Sequence, residues 1–575
     1  MKLSNGFVNV SGKMYNGFND FLPRNEHTEK LIKAVKAAAG EYMAVPINGL
    51  SYAKFEYVIK TGQRREDYED DYIEHRRRLN VFLVMSLYED NEVYIKELEN
   101  ILWAICDEFT WCLPAHTHVV KGEKSASDFI EAIDIFAAET AFYLSEAIYL
   151  TKRRISNLVY DRVEYELKRR IIAPFMDENL KWAKNNWSGV CASSIGMVMI
   201  YLGLDKEFEL SATHISECIY DFLESYENDG CCKEGALYWT YGFGFFCYYA
   251  RLVREYTDSE IDYFKFPKVK AIAQFGHNVF LNKNNVIPFS DAPHELNFNM
   301  GLYTLMAKEY GLSVPPEEYE SGFGDDVRYR MCHMIRDLFW YDESIKQNIS
   351  DKKYVYYENA VWYINKSNLY YFAAKGGNNN EPHNHNDLGS FIIYDNGRYI
   401  IDDLGWPMYD RKYFNADYRY DNICTSAKGH NVPQFDNSEQ VCGENGYASL
   451  ICADEKEFKL DLSNAYDRVG SIQRKFELSP KSILIRDEFE KADGDVAERF
   501  VTRIEPRIDK DGSVQIGNWR IVCRNQSDVS IDKVEFNPRN NIAKSSMEDT
   551  ETAYLITFKL SCDSGIIETE LSKEG

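Results

Sequence analysis

The sequence has no CxxC pair, no apolar run long enough to cross a bilayer and no surplus of positive charge. The thirteen cysteines are an odd number, and only Cys231 and Cys232 are adjacent. With Cys191, Cys247 and Cys424 set among apolar or aromatic neighbours, they read as reduced buried thiols rather than a disulfide framework. The missing apolar run excludes a helical membrane span. Residues 1–20 have polar residues throughout and lack the apolar centre of a signal peptide. A cytoplasmic location is expected, or a periplasmic or secreted one if an export signal has been removed. A net charge of -25 argues against non-specific nucleic-acid binding and against an anionic membrane surface. Any polyanionic ligand would need a locally basic cleft.

What is present describes a globular chain. At 575 residues it exceeds what one compact core usually serves, so two or three domains are expected. Forty-one tyrosines and nine tryptophans are a heavy aromatic load, which suits stacking on sugar rings and ordinary packing alike.

The first half carries helical periodicity. Apolar spacing predicts helices over 29–42, 67–88, 92–109, 125–150, 153–182, 187–202, 211–227, 235–255, 258–275 and 300–310. Ser125 is a plausible cap, with Asp128 in the first turn. Helices of this length joined by short loops imply antiparallel helical hairpins, as a ring or a solenoid. Around 344–352 the texture changes to short alternating runs at 354–357, 360–364, 369–372, 392–394, 399–401, 482–487, 499–502, 520–522 and 553–558. These read as antiparallel, stacked sheets. The expected division is a helical domain over 1–345 and a β domain over 346–575.

Within the β half, the stretch from Pro382 to Asn431 is chemically the densest. His383-Asn384-His385-Asn386-Asp387-Leu388-Gly389-Ser390-Phe391 leads into an apolar run. Asn396-Gly397 then signals a hairpin, and Asp402-Asp403-Leu404-Gly405 ends its second strand. A loop with Tyr409, Tyr413, Tyr418 and Tyr420 closes on Gly429-His430-Asn431. The hairpin brings Asp402 or Asp403 back beside the His-x-His pair, and His430 returns to meet them. If 383–385 is extended, the two imidazoles share a face. Two imidazoles and a carboxylate from separate segments suit zinc or a similar divalent ion.

Two stretches stand out in the helical half. In Asn185-Asn186-Trp187 an asparagine opens a helix, where it can cap the backbone or, aided by the positive helix end, donate to a carboxylate. In Glu234-Gly235-Ala236-Leu237-Tyr238-Trp239-Thr240-Tyr241-Gly242, two tyrosines three apart share a helical face. A third stretch, Trp111 to His118, holds His116-x-His118 after a proline, with no carboxylate near it in sequence. It reads as a loop rather than a metal site. Trp111, His116, Trp187, Glu234, Trp239 and, from the tyrosine loop, Arg419 are the candidates to line a sugar. Arg411, Lys412 and Lys428 could help Arg419 offset the negative charge.

Taken together, Asn-Asn-Trp, Glu-Gly-x-x-Tyr-Trp-x-Tyr-Gly, His-x-His-x-Asp-x-Gly-Ser-Phe, Asp-x-Gly and His-Asn resemble the heparinase II/III family of polysaccharide lyases. The resemblance runs from about Asn185 to Asn431. It implies an α/α toroid, an incomplete helical barrel, followed by an antiparallel β-sandwich. It also implies one zinc or manganese ion, mainly structural, held by His385, Asp403 and His430, with His383 facing the active site. Tyr238 matches the catalytic tyrosine and Asn186 the side chain that neutralises the substrate carboxylate. Tyr241 could replace Tyr238, Asn185 could replace Asn186, and Asp402 could replace Asp403. A loop tyrosine such as Tyr420 could assist.

The implied reaction is β-elimination in uronate-containing glycosaminoglycans such as heparan sulfate, chondroitin sulfate or hyaluronan, giving 4,5-unsaturated products. The chemistry agrees: a neutral donor on the uronate carboxylate stabilises the enolate-like charge as a base takes the C5 proton. The lack of an export signal favours exo action on imported oligosaccharides. Alginate is the alternative substrate. Metal-dependent hydrolysis assisted by Asp387, and a carbohydrate-binding homologue without turnover, are the competing readings. Sequence leaves the oligomeric state open.

Overall fold

The computed structural model describes residues 21–62, 65–119, 125–151, 154–178, 180–326, 328, 330–348, 352–366, 369–407, 409, 412–413, 415, 417–436, 438–538, 550–560 and 564–574. The chain divides into two compact units, and more than one cut separates them. The first comprises Met1–Tyr226, Thr240–Lys270 and Asn297–Asn348, and the second Glu227–Trp239, Ala271–Leu296 and Ile349–Gly575. Two pieces of the expected helical domain, one holding Tyr238, therefore pack with the sheets. An α/α toroid followed by an antiparallel β-sandwich describes the fold.

In the helical unit, local rules set most elements. Asn91 caps Glu92–Asp107 by accepting from the Val93 amide at 3.0 Å, and the stripe Ile95, Leu98, Ile101, Leu102 and Ile105 is buried. Asn186–Tyr201 is buried on every side except at Trp187. Its small residues allow this: a Cβ at Gly189 would strike the ring of Phe222, and one at Gly196 the ring of Tyr249. Asp205–Ser225 and Gly244–Tyr256, which carry those rings, can therefore approach closely.

The expected helix 125–150 is two helices, Ala126–Ile130 and Ile135–Thr151. The first opens on the Ser125–Asp128 capping box. The second opens on Asp134, which accepts from the Ala137 amide at 2.7 Å. Residues 153–182 likewise resolve into Asn157–Leu167, a π turn at Lys168–Ile172, and Ala173–Glu178. Periodicity missed Tyr52–Thr61, which buries only Phe55 and Val58, and Met331–Trp340, whose buried face includes His333, Arg336 and Asp337. Polar residues turned inward defeat an apolar pattern.

In the second unit every strand pair is antiparallel among the described residues. The strands form sheets of five, nine and four. The five-stranded sheet ends in the hairpin Phe391–Asp395/Arg398–Ile401. The nine-stranded sheet is centred on Ser471–Leu478, Ser482–Glu490 and Gly565–Lys573. Phe372, Phe391, Phe458 and Phe476 belong to one core spanning both sheets. Alternation along Ser482–Glu490 buries Ile483, Ile485, Asp487 and Phe489.

Asp487 is an inward charge, and Arg474, its register partner on the next strand, neutralises it. Arg474 donates to both Asp487 oxygens at 2.8 Å, to Glu498 at 2.5 Å, and to the carbonyls of Gly389 at 3.1 Å and Asn431 at 2.8 Å. All three charged side chains are buried. The two carbonyls belong to the His383–His385 and His430 segments, so the ion cluster is also the floor of the candidate site. Arg474→Ala, which strands two acids, is expected to destabilise the protein by about 3–5 kcal/mol in urea unfolding; a loss below about 1 kcal/mol would remove this role.

Candidate active site

The hairpin turns at Asn396 and Gly397, with φ of 49° and 82°, as a two-residue turn of this hand requires. Its ends are joined by one buried side chain. Asn431 Nδ2 donates to the carbonyls of Phe391 at 2.8 Å and Asp402 at 2.7 Å, while its Oδ1 accepts from the Val501 amide at 2.7 Å. Clamping at Asn431 sets the preceding residue, His430, beside Asp403: Nδ1 and Oδ2 are 3.0 Å apart.

His383 lies in a turn and His385 in the irregular stretch after it, not in a strand, and His383 has φ of 57°, a left-handed conformation uncommon for a residue with a side chain. The expected sharing of one strand face therefore does not hold. Both imidazoles meet through Asp291 instead. This buried carboxylate lies 2.5 Å from His383 Nδ1 and 3.2 Å from His385 Nε2, and accepts from the hydroxyls of Tyr409 and Tyr413, each at 2.5 Å. Burial alone would raise its pKa; the two imidazoles outweigh that and hold it far below the usual carboxylate range. Burial lowers the His383 pKa, but Asp291 and then Glu234 raise it above the ordinary imidazole value. Tyr409 and Tyr413 are pushed well up, first by burial and then by the charge of Asp291.

Tyr238 completes this network. Its ring stacks on His383, with centroids 4.4 Å apart at 30°, and its hydroxyl is 2.9 Å from that of Tyr409. Gly235, at φ 94°, opens the turn Ala236–Tyr238, and a side chain there would meet Ala292 and the Phe289 carbonyl. Ser290 Oγ donates to the Lys233 carbonyl at 2.7 Å, tying the Asp291 loop to the Tyr238 segment. Glu234 Oε2 lies 3.6 Å from His383 Nε2. The result is a hydrogen-bonded series from Tyr238 through Tyr409 to Asp291 and His383, able to relay protons.

A second, fully buried group lies behind it. His385, Asp387 and His430 each bring a donor atom within 4.8 Å of the other two. His385 Nδ1 and Asp387 Oδ2 have no hydrogen-bond partner, although Lys375 Nζ is 2.8 Å from Asp387 Oδ1. Asp403, reached from His430, adds a second carboxylate, kept below its usual range because His430 overcomes the effect of burial. Orphaned buried donors in a set of two imidazoles and two carboxylates fit a divalent ion such as zinc or manganese. Asp387, rather than the expected Asp403, is the carboxylate within that distance of both imidazoles. Asp402 instead meets His294 at 2.8 Å and Arg503.

Residues 352–563 match the family model described as Heparinase II/III-like, C-terminal. That stretch is similar to the C-terminal part of heparinase II/III-like proteins. No curated protein matches the chain in sequence. Among solved structures, heparinase III is similar at 13% identity and a TM-score of 0.63, over 97% of this chain and 93% of that one. A mutant of the heparan sulfate lyase HepC from Pedobacter heparinus has 13% identity and a TM-score of 0.62, over 99% and 86%. Chondroitin AC lyase from Streptomyces coelicolor, in complex with chondroitin sulphate, has 9% identity and a TM-score of 0.57, over 98% and 81%.

Several of the expected site residues have other work. Trp239 is buried, with Nε1 donating to the Ile272 carbonyl at 2.7 Å, and Trp111 is buried, donating to the Ile105 carbonyl at 2.9 Å. Both are core residues, which corrects their assignment to a sugar surface. Tyr420 meets Asn384, at 3.1 Å from its Nδ2, while Tyr409 and Tyr413 reach Asp291. Tyr409 is thus the loop tyrosine of this network. Arg419 spends its donors on the carbonyls of Asn384 and Tyr413 and on the Tyr413 hydroxyl at 2.7 Å. Lys412 is exposed, Lys428 half-buried, and Arg411 lies outside the described residues.

In the helical unit, Asn185 is the helix cap, accepting from the Trp187 amide at 3.0 Å, and Asn186 is buried against the backbone of Gly242, where a Cβ would collide with its Oδ1. Tyr241 donates to Glu139 beneath Arg330. Trp187 packs on His116 at 4.9 Å. His116 Nδ1 is 2.7 Å from Asp134 Oδ2, so the helix break supplies the carboxylate that sequence proximity had not shown.

Asp291 and His294 were missed because they fall between two expected helices, in Pro288-Phe289-Ser290-Asp291-Ala292-Pro293-His294, where no period exists to read. Burial raises the pKa of Asp402, but Arg503 and His294 prevail and hold it at about 2. Its contribution to stability is therefore whole above the usual 3.8 and lost as pH falls toward 2. Arg503→Met should cost about 3 kcal/mol at neutral pH. The gap between variant and wild type should narrow over that acidic window in urea titrations.

Proposed function

We propose that this chain is a polysaccharide lyase that cleaves uronate-containing glycosaminoglycans by β-elimination, leaving a 4,5-unsaturated uronate. The observation that carries the reading is the hydrogen-bonded series Tyr238–Tyr409–Asp291–His383, with the Tyr238 ring stacked on His383. Asp291 on Nδ1 fixes the imidazole so that Nε2 presents a lone pair, and stabilises the imidazolium formed when Nε2 takes the C5 proton. The Tyr238 hydroxyl donates to the departing O4 oxygen and recovers a proton through Tyr409. Tyr238 as tyrosinate can serve as base for the other epimer. Asn186 keeps the role the resemblance implies, neutralising the substrate carboxylate. The heparan sulfate and chondroitin lyases among the similar structures support the substrate class, and exo action on oligosaccharides is part of the proposal.

His385, His430, Asp403 and Asp387 would hold zinc or manganese, whose charge would offset the buried carboxylates and fix the turn presenting His383. Asp387, buried against Lys375, is poorly placed to assist hydrolysis.

The test is ultraviolet absorbance during incubation with heparan sulfate, chondroitin sulfate, hyaluronan and alginate. Absorbance should rise with at least one glycosaminoglycan. Tyr238→Phe and His383→Ala should each lower kcat by about 100-fold or more without loss of fold, and Asn186→Ala should do so separately. Binding without absorbance, unchanged by Tyr238→Phe, would make the chain a carbohydrate-binding protein. Early release of long fragments from intact polymer would exclude exo action. Chelation should lower the melting temperature, and zinc or manganese should restore it.

A further inference from the structure

The helical unit holds a second group of buried ligand-type atoms. His27 lies in the first turn of Glu26–Met43, Glu317 opens the short turn Glu317–Tyr319, and Glu320 follows it. One atom from each of the three lies within 4.8 Å of the other two.

Three observations distinguish this group from an ordinary acidic patch. First, His27 is only 4% exposed, and its Nε2 is 3.0 Å from the Asp337 carbonyl. A carbonyl can only accept, so Nε2 carries the proton and Nδ1 a lone pair when the ring is neutral. Nδ1 is buried, has no hydrogen-bond partner, and lies 3.8 Å from Glu317 Oε1. Two lone pairs facing one another call for something positive between them. Secondly, neither oxygen of the buried Glu320 has a hydrogen-bond partner, and Oε1 is 3.3 Å from His27 Nε2. Thirdly, positive charge is short. Lys30 Nζ stands 3.5 Å from Glu320 Oε2, on a side chain half exposed to solvent, and donates to the Glu317 carbonyl at 3.0 Å.

We infer that His27 Nδ1, Glu317 and Glu320 form a binding site for a divalent transition-metal ion of the zinc class, fastening the first described helix to the 317–320 turn. One imidazole nitrogen and two carboxylates suit such an ion better than calcium, which takes six to eight oxygens. The surroundings are those of a metal-bound histidine: the far nitrogen is fixed by a backbone carbonyl, and the Tyr341 hydroxyl donates to Glu317 Oε2 at 3.1 Å while its ring lies 4.1 Å from that of His27. Lys30 can swing into solvent as the ion enters.

The whole 575-residue chain, stripped with a chelator and titrated with Zn²⁺ by calorimetry, tests this. Wild type should bind one equivalent more than His27→Gln or Glu317→Gln, and His385→Gln should retain that equivalent. Glu317 is half-buried on a turn, so Glu317→Gln is the variant expected to fold normally even if His27→Gln does not. Its metal-free melting temperature should equal that of wild type, and added Zn²⁺ should raise it less. If Glu317→Gln binds as many equivalents as wild type with unchanged affinity, the site is refuted, and His27 and Glu320 share a proton instead. Saturation by Ca²⁺ at equal concentration, displacing Zn²⁺, would equally overturn the assignment.

Discussion

The candidate active site depends on one buried negative charge. Among the described residues no lysine or arginine pairs with Asp291; its partners are two imidazoles and two phenols. An isolated carboxylate in such a place would cost several kcal/mol. It is tolerable because each partner supplies a hydrogen bond or a share of positive charge, and that requirement brings the partners together. His383, His385, Tyr409 and Tyr413 come from separate stretches of chain, and Tyr238 joins through Tyr409 and the His383 ring. Removing Asp291 would leave no reason for these groups to face one another.

Around that charge the structure repeats one device: a polar side chain buried where it can reach several backbone groups at once. Asn431 joins the two ends of the hairpin to the strand Val496–Thr502. Arg474 answers two buried acids and holds the carbonyls of Gly389 and Asn431. Arg503 holds the carbonyls of Asp403 at 2.9 Å and Leu404 at 3.0 Å. Each has few alternatives in a low dielectric, so together they fix the loops to a narrow range of positions. Loops so held can carry catalytic groups, whereas loops held only by apolar contact could slide.

At 8–14% identity to these similar solved structures, few individual residues are shared, yet the fold spans nearly the whole chain. Burial tolerates exchange among apolar residues of similar volume. A fold can therefore persist while its surface and chemistry diverge, and the activity reading has to rest on this chain's own phenol, imidazole and carboxylate.

By itself, the sequence determined whatever short-range periodicity can carry. The helical-then-sheet order followed from apolar spacing, the hairpin from Asn396-Gly397, and the His-x-His, Asp403 and His430 grouping from motif order. The Ser125–Asp128 box was legible for the same reason, since all its partners lie within one turn. Tertiary structure alone decided which partners were chosen over long separations. It gave the cap to Asn185, drew Tyr241 to Glu139, sent Trp111 and Trp239 into the core, and brought Asp291 to the histidines across more than ninety positions. It also packed Glu227–Trp239 with the sheets rather than with the helices that flank it in sequence. The physical reason is that a buried polar group must be satisfied by whatever the folded chain places beside it, and local sequence holds no record of that neighbour.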